Sequence, residues 1–113
     1  MEEPTRGVCI RIAGNTGTPC LLALRAKGYH IRLDYLRLND TDVANPDYQL
    51  DYQAQCEGAY FSATTPEELL GLVAMWEVRG DDWRAKPSEA VINDELHEAS
   101  RTYDSNGNEL RDD

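Results

Sequence analysis

Two neighbouring segments, residues 29–38 and 48–56, alternate apolar and polar side chains with a period of two. Successive side chains of a β-strand point to opposite faces, so this period predicts two strands that each have one covered face. The predicted covered face carries Tyr29, Ile31, Leu33, Tyr35, Tyr48, Leu50, Tyr52, Ala54 and Cys56. The alternation slips by one residue at Tyr35-Leu36, which predicts a β-bulge. The polar connection 39–46 indicates an antiparallel hairpin with a long loop.

The segment Thr65-Pro66-Glu67-Glu68 is typical of a helix start. Thr65 is the predicted N-cap, Pro66 fits the first helical position, and Glu68 would complete a capping box. An apolar stripe at helical spacing follows and consists of Leu69, Leu72, Val73 and Trp76. This stripe predicts an amphipathic helix that covers the sheet and ends at Arg79-Gly80.

The N-terminal part of the chain predicts a strand at Val8–Ala13 and a turn at Gly14–Gly17, followed by another helix. Thr18 is expected to cap this helix, because Pro19 then takes the first helical position. Residues 20–24 are apolar on nearly all sides, so the helix is expected to be well buried. Gly28 is expected to end it in the left-handed region.

Beyond Gly80 the chain is more polar, and a third helix is predicted from Pro87 to about Arg101, with a turn at Asp104–Gly107. The predicted order is β-α-β-β-α plus this weaker helix. It indicates the α+β class, with a small, mostly antiparallel sheet of three to four strands and two to three helices packed on one face. A single domain is expected over residues 1–103, with an acidic, flexible C-terminal tail over 104–113.

The charge of the chain is strongly and unevenly negative. Its 113 residues include 21 acidic and 11 basic ones, which gives a net charge of −10. Thirteen acids and five bases lie in residues 61–113, so this part alone carries −8. Such a field repels nucleic acid and anionic lipid and attracts basic surfaces. It predicts a basic protein partner and neither nucleic-acid nor membrane binding, although an acidic surface that only confers solubility is the alternative.

No pattern of residues predicts an enzyme, a cofactor or a metal site. The two histidines, His30 and His97, do not accompany a nucleophile and an orienting acid in a known arrangement. Cys20 lies near a predicted helix start, but a buried structural cysteine is the favoured interpretation. Residues 104–109 share only the oxygen-rich start of a calcium loop, and a turn explains them.

Cysteine usage and the N-terminus predict a cytoplasmic protein. Cys9, Cys20 and Cys56 are odd in number and lack metal-ligand spacing, so reduced thiols are expected. The acidic start Met1-Glu2-Glu3-Pro4 lacks the pattern of a secretory signal. An unpaired strand edge would permit a dimer, so a monomer or a homodimer is expected.

One stretch carries a resemblance to a class of known proteins. The sequence GAYFSATTPEELLGL at 58–72 resembles the strand-to-helix entry of small bacterial immunity proteins, which neutralise toxins delivered by contact-dependent, type VI or related systems. The resemblance implies a non-enzymatic inhibitor, and it transfers no catalytic residue to this chain. Many such toxins are basic nucleases, and an acidic inhibitor gains association rate and specificity against them.

The leading functional hypothesis is therefore a non-enzymatic protein that binds and neutralises a basic bacterial toxin. Its contact surface is expected where acidic residues cluster in a loop and where they adjoin an aromatic residue, Trp83. The alternative role of Trp83 is to close the core after the second predicted helix. The candidate contact residues are Asp40, Asp42, Asp47, Asp81, Asp82 and Trp83.

Two alternative functions remain. The first is a small-ligand-binding or regulatory domain, whose site would lie at the Gly14–Thr18 turn and on the open polar face of the strands. That face is predicted to carry His30, Arg32, Asp34, Gln49, Asp51, Gln53 and Gln55. The second is an acidic DNA-mimicking inhibitor, which requires carboxylates spaced like phosphates along one surface.

Overall fold

The computed structural model describes residues 7–38 and 44–111. The chain forms two compact units, the N-terminal unit up to Asp81 and the C-terminal unit from Asp82 onward. Within the described residues there are three helices, a three-stranded antiparallel sheet and a two-stranded sheet. This composition confirms the predicted α+β class. None of the helices in the described ranges is long and apolar enough to cross a membrane.

The sheet of the N-terminal unit consists of β1 (His30–Arg37), β2 (Tyr48–Cys56) and β3 (Ala59–Ala63), in that spatial order. Strands β1 and β2 pair without interruption from His30↔Gln55 to Arg37↔Tyr48. The predicted bulge at Tyr35-Leu36 is therefore wrong. The uninterrupted ladder places Leu36 opposite Gln49 on the polar face, where its side chain stays exposed.

A two-residue turn, Glu57-Gly58, joins β2 to β3. Both residues have positive φ, 44° at Glu57 and 85° at Gly58, as tight hairpin turns require. Gly58 therefore belongs to the turn and does not bulge the strand, and Cys56 pairs directly with Ala59. The turn sets a register that puts Phe61 and Ala63 on the same face as Ala54 and Tyr52.

The first helix, α1 (Gly17–Ala26), begins earlier than predicted. Its N-cap is Thr16 instead of Thr18, and Pro19 lies inside the first turn, where its missing N–H has no helical acceptor to lose. The expectation of a well-buried helix is also wrong, because Leu24 is its one buried side chain. Gly28 follows the helix with φ of 100°, as predicted for a left-handed helix end.

The predicted strand at Val8–Ala13 is not formed. The segment has no regular secondary structure and pairs with neither edge of the described sheet. Its apolar side chains Val8, Ile10 and Ile12 are 86%, 75% and 76% exposed. Periodicity identified a segment able to form a strand, but strand formation also needs a partner edge.

The second helix, α2 (Pro66–Arg79), confirms the predicted start. The Thr65 side chain accepts a hydrogen bond from the backbone N–H of Glu68 at 3.1 Å, and Pro66 occupies the first turn. Helix α2 packs with α1 over one face of the sheet. The buried core between them consists of Leu24, Tyr29, Ala54, Leu69 and Val73.

The C-terminal unit contains α3 (Val91–Glu98) and a small hairpin of β4 (Thr102–Tyr103) and β5 (Glu109–Leu110). Helix α3 is shorter than predicted, because 87–90 form a turn in place of its first residues. In the hairpin, Asp104 accepts hydrogen bonds from the backbone N–H groups of Asn106 and Asn108 at 2.9 and 2.8 Å. The predicted turn is thus confirmed, whereas flexibility of residues 104–113 stays a prediction.

Candidate functional site

The predicted contact residues lie in different local structures. Asp40 and Asp42 fall outside the described residues. Asp47 is exposed just before β2, where its carbonyl accepts a hydrogen bond from the Leu38 N–H at 2.8 Å. Asp81 follows α2, and its carboxylate accepts a hydrogen bond from the Trp76 indole N–H at 3.0 Å. That bond ties Asp81 to the end of α2, so part of its acceptor capacity is already used.

Asp82 and Trp83 begin the C-terminal unit and are both exposed. The Arg84 guanidinium lies 4.4 Å from the centre of the Trp83 ring, which is a cation–π arrangement. Trp83 therefore presents a partly covered aromatic ring with one acidic and one basic neighbour. The structure keeps this part of the predicted surface accessible to a partner.

The C-terminal unit also exposes the apolar side of α3, which was not among the predicted contact residues. Val91, Ile92 and Leu96 lie on one side of the helix and are each about half exposed or more. The acidic residues Asp94, Glu95 and Glu98 lie beside or within this apolar stripe. None of the described side chains of α3 is buried. The sequence contained this pattern, an apolar stripe with neighbouring acids.

The open face of the three-stranded sheet carries a network of hydrogen bonds around Gln53. The Gln53 amide nitrogen donates to Asp34 at 2.6 Å and to Asp51 at 2.7 Å, while Ser62 also donates to Asp51. Arg32 pairs with Asp34 at 2.9 Å. Its guanidinium, followed by the Gln53 amide, lowers the pKa of the Asp34 carboxyl from its ordinary value. These polar groups largely satisfy one another.

A cavity of about 510 Å³ lies beside residues 14–18, which form the turn before α1 and the first residues of the helix. It is lined by residues 9–11, by Asn15-Thr16, by Pro19-Cys20 and by Leu70 of α2. The Thr16 hydroxyl donates to the Glu67 carboxylate at 2.6 Å and thereby joins the turn before α1 to the first turn of α2. The turn that the sequence offered as a small-ligand site thus adjoins a real concavity.

The described structure contains neither a disulfide nor a cluster of metal-ligating side chains. Cys9, Cys20 and Cys56 are all free. Burial, and secondarily the negative charge of Glu67, raises the pKa of the Cys20 thiol and disfavours a thiolate there. Over the described ranges, no group of three or more His, Cys, Asp or Glu residues could hold a metal ion.

No protein-family model matches the chain, and neither a curated protein nor a solved structure is significantly similar to it.

Proposed function

We propose that the protein is a non-enzymatic inhibitor that binds a basic protein partner. The partner class that the resemblance at residues 58–72 implies is a bacterial toxin domain. The observation that carries the proposal is the C-terminal unit, where exposed apolar side chains stand among an excess of acidic ones. Residues 82–113 contain nine acids and four bases.

The apolar stripe of α3 would supply the centre of the interface. Binding energy at protein interfaces concentrates in a desolvated apolar centre surrounded by a polar rim. Ile92 and Leu96 are large enough to fill a shallow partner groove, and they are 52% and 61% exposed. Covering them would remove apolar area from water, which favours association.

The acidic residues would supply the rim and the attraction at a distance. Asp94 and Glu98 lie next to the apolar stripe, and Asp82 precedes the exposed Trp83. A negative surface speeds encounter with a positive one and raises the association rate at low salt. The free cysteines suit a reducing compartment, so the proposal includes action in the cytoplasm.

Affinity capture with the tagged full-length chain tests this proposal. Capture from the native host is compared at low and at moderate salt, with wild type beside Leu96→Asp and the double variant Asp82→Asn, Trp83→Ala. Glu57→Gln is the matched control, because it removes one exposed acid from the turn between β2 and β3. We expect a stoichiometric basic protein that both test variants lose and the control retains.

The salt dependence separates the two parts of the proposed surface. If wild type captures the partner at low but not at moderate salt, charge dominates the interface. If wild type retains the partner at both salts and only Leu96→Asp loses it, the apolar centre dominates. Equal capture by all variants would reject the C-terminal unit as the contact surface. Empty capture at both salts would reject the inhibitor proposal itself.

A further inference from the structure

We propose that the cavity beside α1 is a binding site for a small apolar carboxylic acid. The cavity lies wholly within the N-terminal unit and is distinct from the surface proposed for a protein partner. Its volume of about 510 Å³ is in the range of small-molecule sites, which is roughly 300–1,000 Å³.

The walls of the cavity favour an apolar ligand body. Ile10, Pro19 and Leu70 contribute carbon surface, and the thiols of Cys9 and Cys20 add soft, weakly polar groups. Ile10 is 75% exposed and has no partner strand among the described residues. A ligand in the cavity would therefore cover apolar surface that the described fold leaves in water.

One cation makes the cavity selective for an anionic end group. Arg11 lines the cavity and has no ion-pair partner among residues 7–38 and 44–111. Asn15 also lines it, and its side-chain amide makes no hydrogen bond within the same ranges. A guanidinium binds a carboxylate through two parallel hydrogen bonds. Arg11 and Asn15 thus have free hydrogen-bonding groups toward the cavity as far as the described residues are concerned.

The neighbouring acid limits the charge of the ligand to one. The Glu67 carboxylate accepts a hydrogen bond from the hydroxyl of Thr16, which lines the cavity. This hydroxyl, followed by the backbone N–H of Glu67, lowers the pKa of the Glu67 carboxyl. The carboxylate is therefore ionised at neutral pH and would repel a second negative charge. A doubly charged phosphate is disfavoured beside it, whereas a single carboxylate at Arg11 is balanced.

Protection of the cavity thiols from alkylation tests the proposal directly. Octanoate is the probe, and octan-1-ol, which has the same chain without a carboxylate, is the control compound. Reaction of iodoacetamide with Cys9, Cys20 and Cys56 is followed by mass spectrometry, and Cys56 serves as the internal reference because it does not line the cavity. We expect octanoate at ten times its Kd to slow Cys9 and Cys20 about tenfold.

Arg11→Gln removes the cation from the cavity, and Arg25→Gln is the matched control at the exposed end of α1. We expect octanoate to raise the Tm of wild type and of Arg25→Gln, and Arg11→Gln to abolish both the Tm shift and the protection. Equal protection by octanol would overturn the carboxylate assignment. If octanoate leaves the alkylation rates of all three thiols unchanged, the proposed site is wrong. The assay contains no protein partner, so either result is independent of the inhibitor proposal.

Discussion

At the scale of single residues, Gln53 lies between two carboxylates that strand pairing places opposite each other. Asp34 and Asp51 are direct partners across β1 and β2, and like charges in that position destabilise a sheet. The Gln53 amide has two hydrogens and donates one to each carboxylate. Its side chain is only 8% exposed, so neither bond is readily replaced by water.

Replacing Gln53 with leucine should lower the free energy of unfolding by about 1–3 kcal/mol, because two carboxylates lose a buried donor. Gln55→Leu is the matched control, since Gln55 lies on the same strand and face but is exposed. It should change stability by less than about 0.5 kcal/mol. Urea denaturation of both variants measures the difference, and equal stability of the two would contradict the role given to Gln53.

The contact between Thr16 and Glu67 predicts a dependence of stability on pH. The Thr16 hydroxyl, followed by the backbone N–H of Glu67, lowers the pKa of Glu67 below its ordinary value of 4.5. A lowered carboxyl pKa in the folded state adds stability above the unfolded pKa. This stability is lost as the pH falls through the folded value. Thr16→Val removes the main cause of the shift.

The Tm of wild type should therefore fall further between about pH 6 and about pH 3 than the Tm of Thr16→Val does. Thr18→Val, an exposed change two residues further along, in the first turn of α1, should behave as wild type. Thermal unfolding followed by circular dichroism at the two pH values provides the comparison. Parallel acid losses in wild type and Thr16→Val would show that this hydrogen bond does not set the response.

At the scale of elements, the two helices of the N-terminal unit differ in how their starts are fixed. Helix α2 begins where its sequence predicts, because the Thr65 side chain satisfies the Glu68 N–H. Helix α1 has no side-chain cap, and the Thr16 hydroxyl instead contacts Glu67 of α2. A local pattern thus determines one helix start, and a contact 51 residues away in sequence accompanies the other.

Removing the α2 cap by Thr65→Ala should cost about 0.5–2 kcal/mol of stability. Thr64→Ala is the matched control, because the Thr64 hydroxyl is exposed and reaches the Glu68 carboxylate only at 3.5 Å. Urea midpoints for the two alanine variants measure the cap separately from the loss of a threonine. A control as destabilised as Thr65→Ala would refute the assignment.

At the scale of the whole molecule, all the buried apolar residues of the described ranges lie in the N-terminal unit. The core formed around Leu24, Leu69 and Val73 belongs to the N-terminal unit. The described part of the C-terminal unit has no buried side chain, although it contains Ile92, Leu96 and Leu110. Stability and the proposed partner contact therefore depend on different residues.

A pair of identical substitutions tests this division. Leu69→Ala should cost about 2–5 kcal/mol, because it opens a cavity in the buried core. Leu96→Ala should cost less than about 0.5 kcal/mol, since its side chain is already 61% exposed. Urea denaturation followed by far-ultraviolet circular dichroism measures both. A large loss in Leu96→Ala would show that α3 is covered within the folded chain.

Candidate site residues were predictable to different extents. Local chemistry identified the turn beside the cavity, but it left open whether Trp83 is exposed or closes the core, and the structure exposes it. Local chemistry did not predict that Asp81 would be bonded to Trp76, because that contact depends on where α2 ends. The sequence also did not predict that Leu70 would line the cavity beside the turn before α1, because this depends on how the two helices pack. The sequence gives the chemical character of each residue, whereas its spatial neighbours depend on the tertiary structure.

The sequence by itself determined the α+β class, the extent of β2 and the start of α2, because period-two alternation and side-chain capping act within a few residues. Only the tertiary structure decided the conformation of Val8–Ala13, which has strand periodicity but no partner edge in the described sheets. It also decided that Leu36 stays exposed, because the cross-strand ladder is continuous through that position. Pairing and burial are long-range events, and their free energy depends on the element that comes to lie opposite.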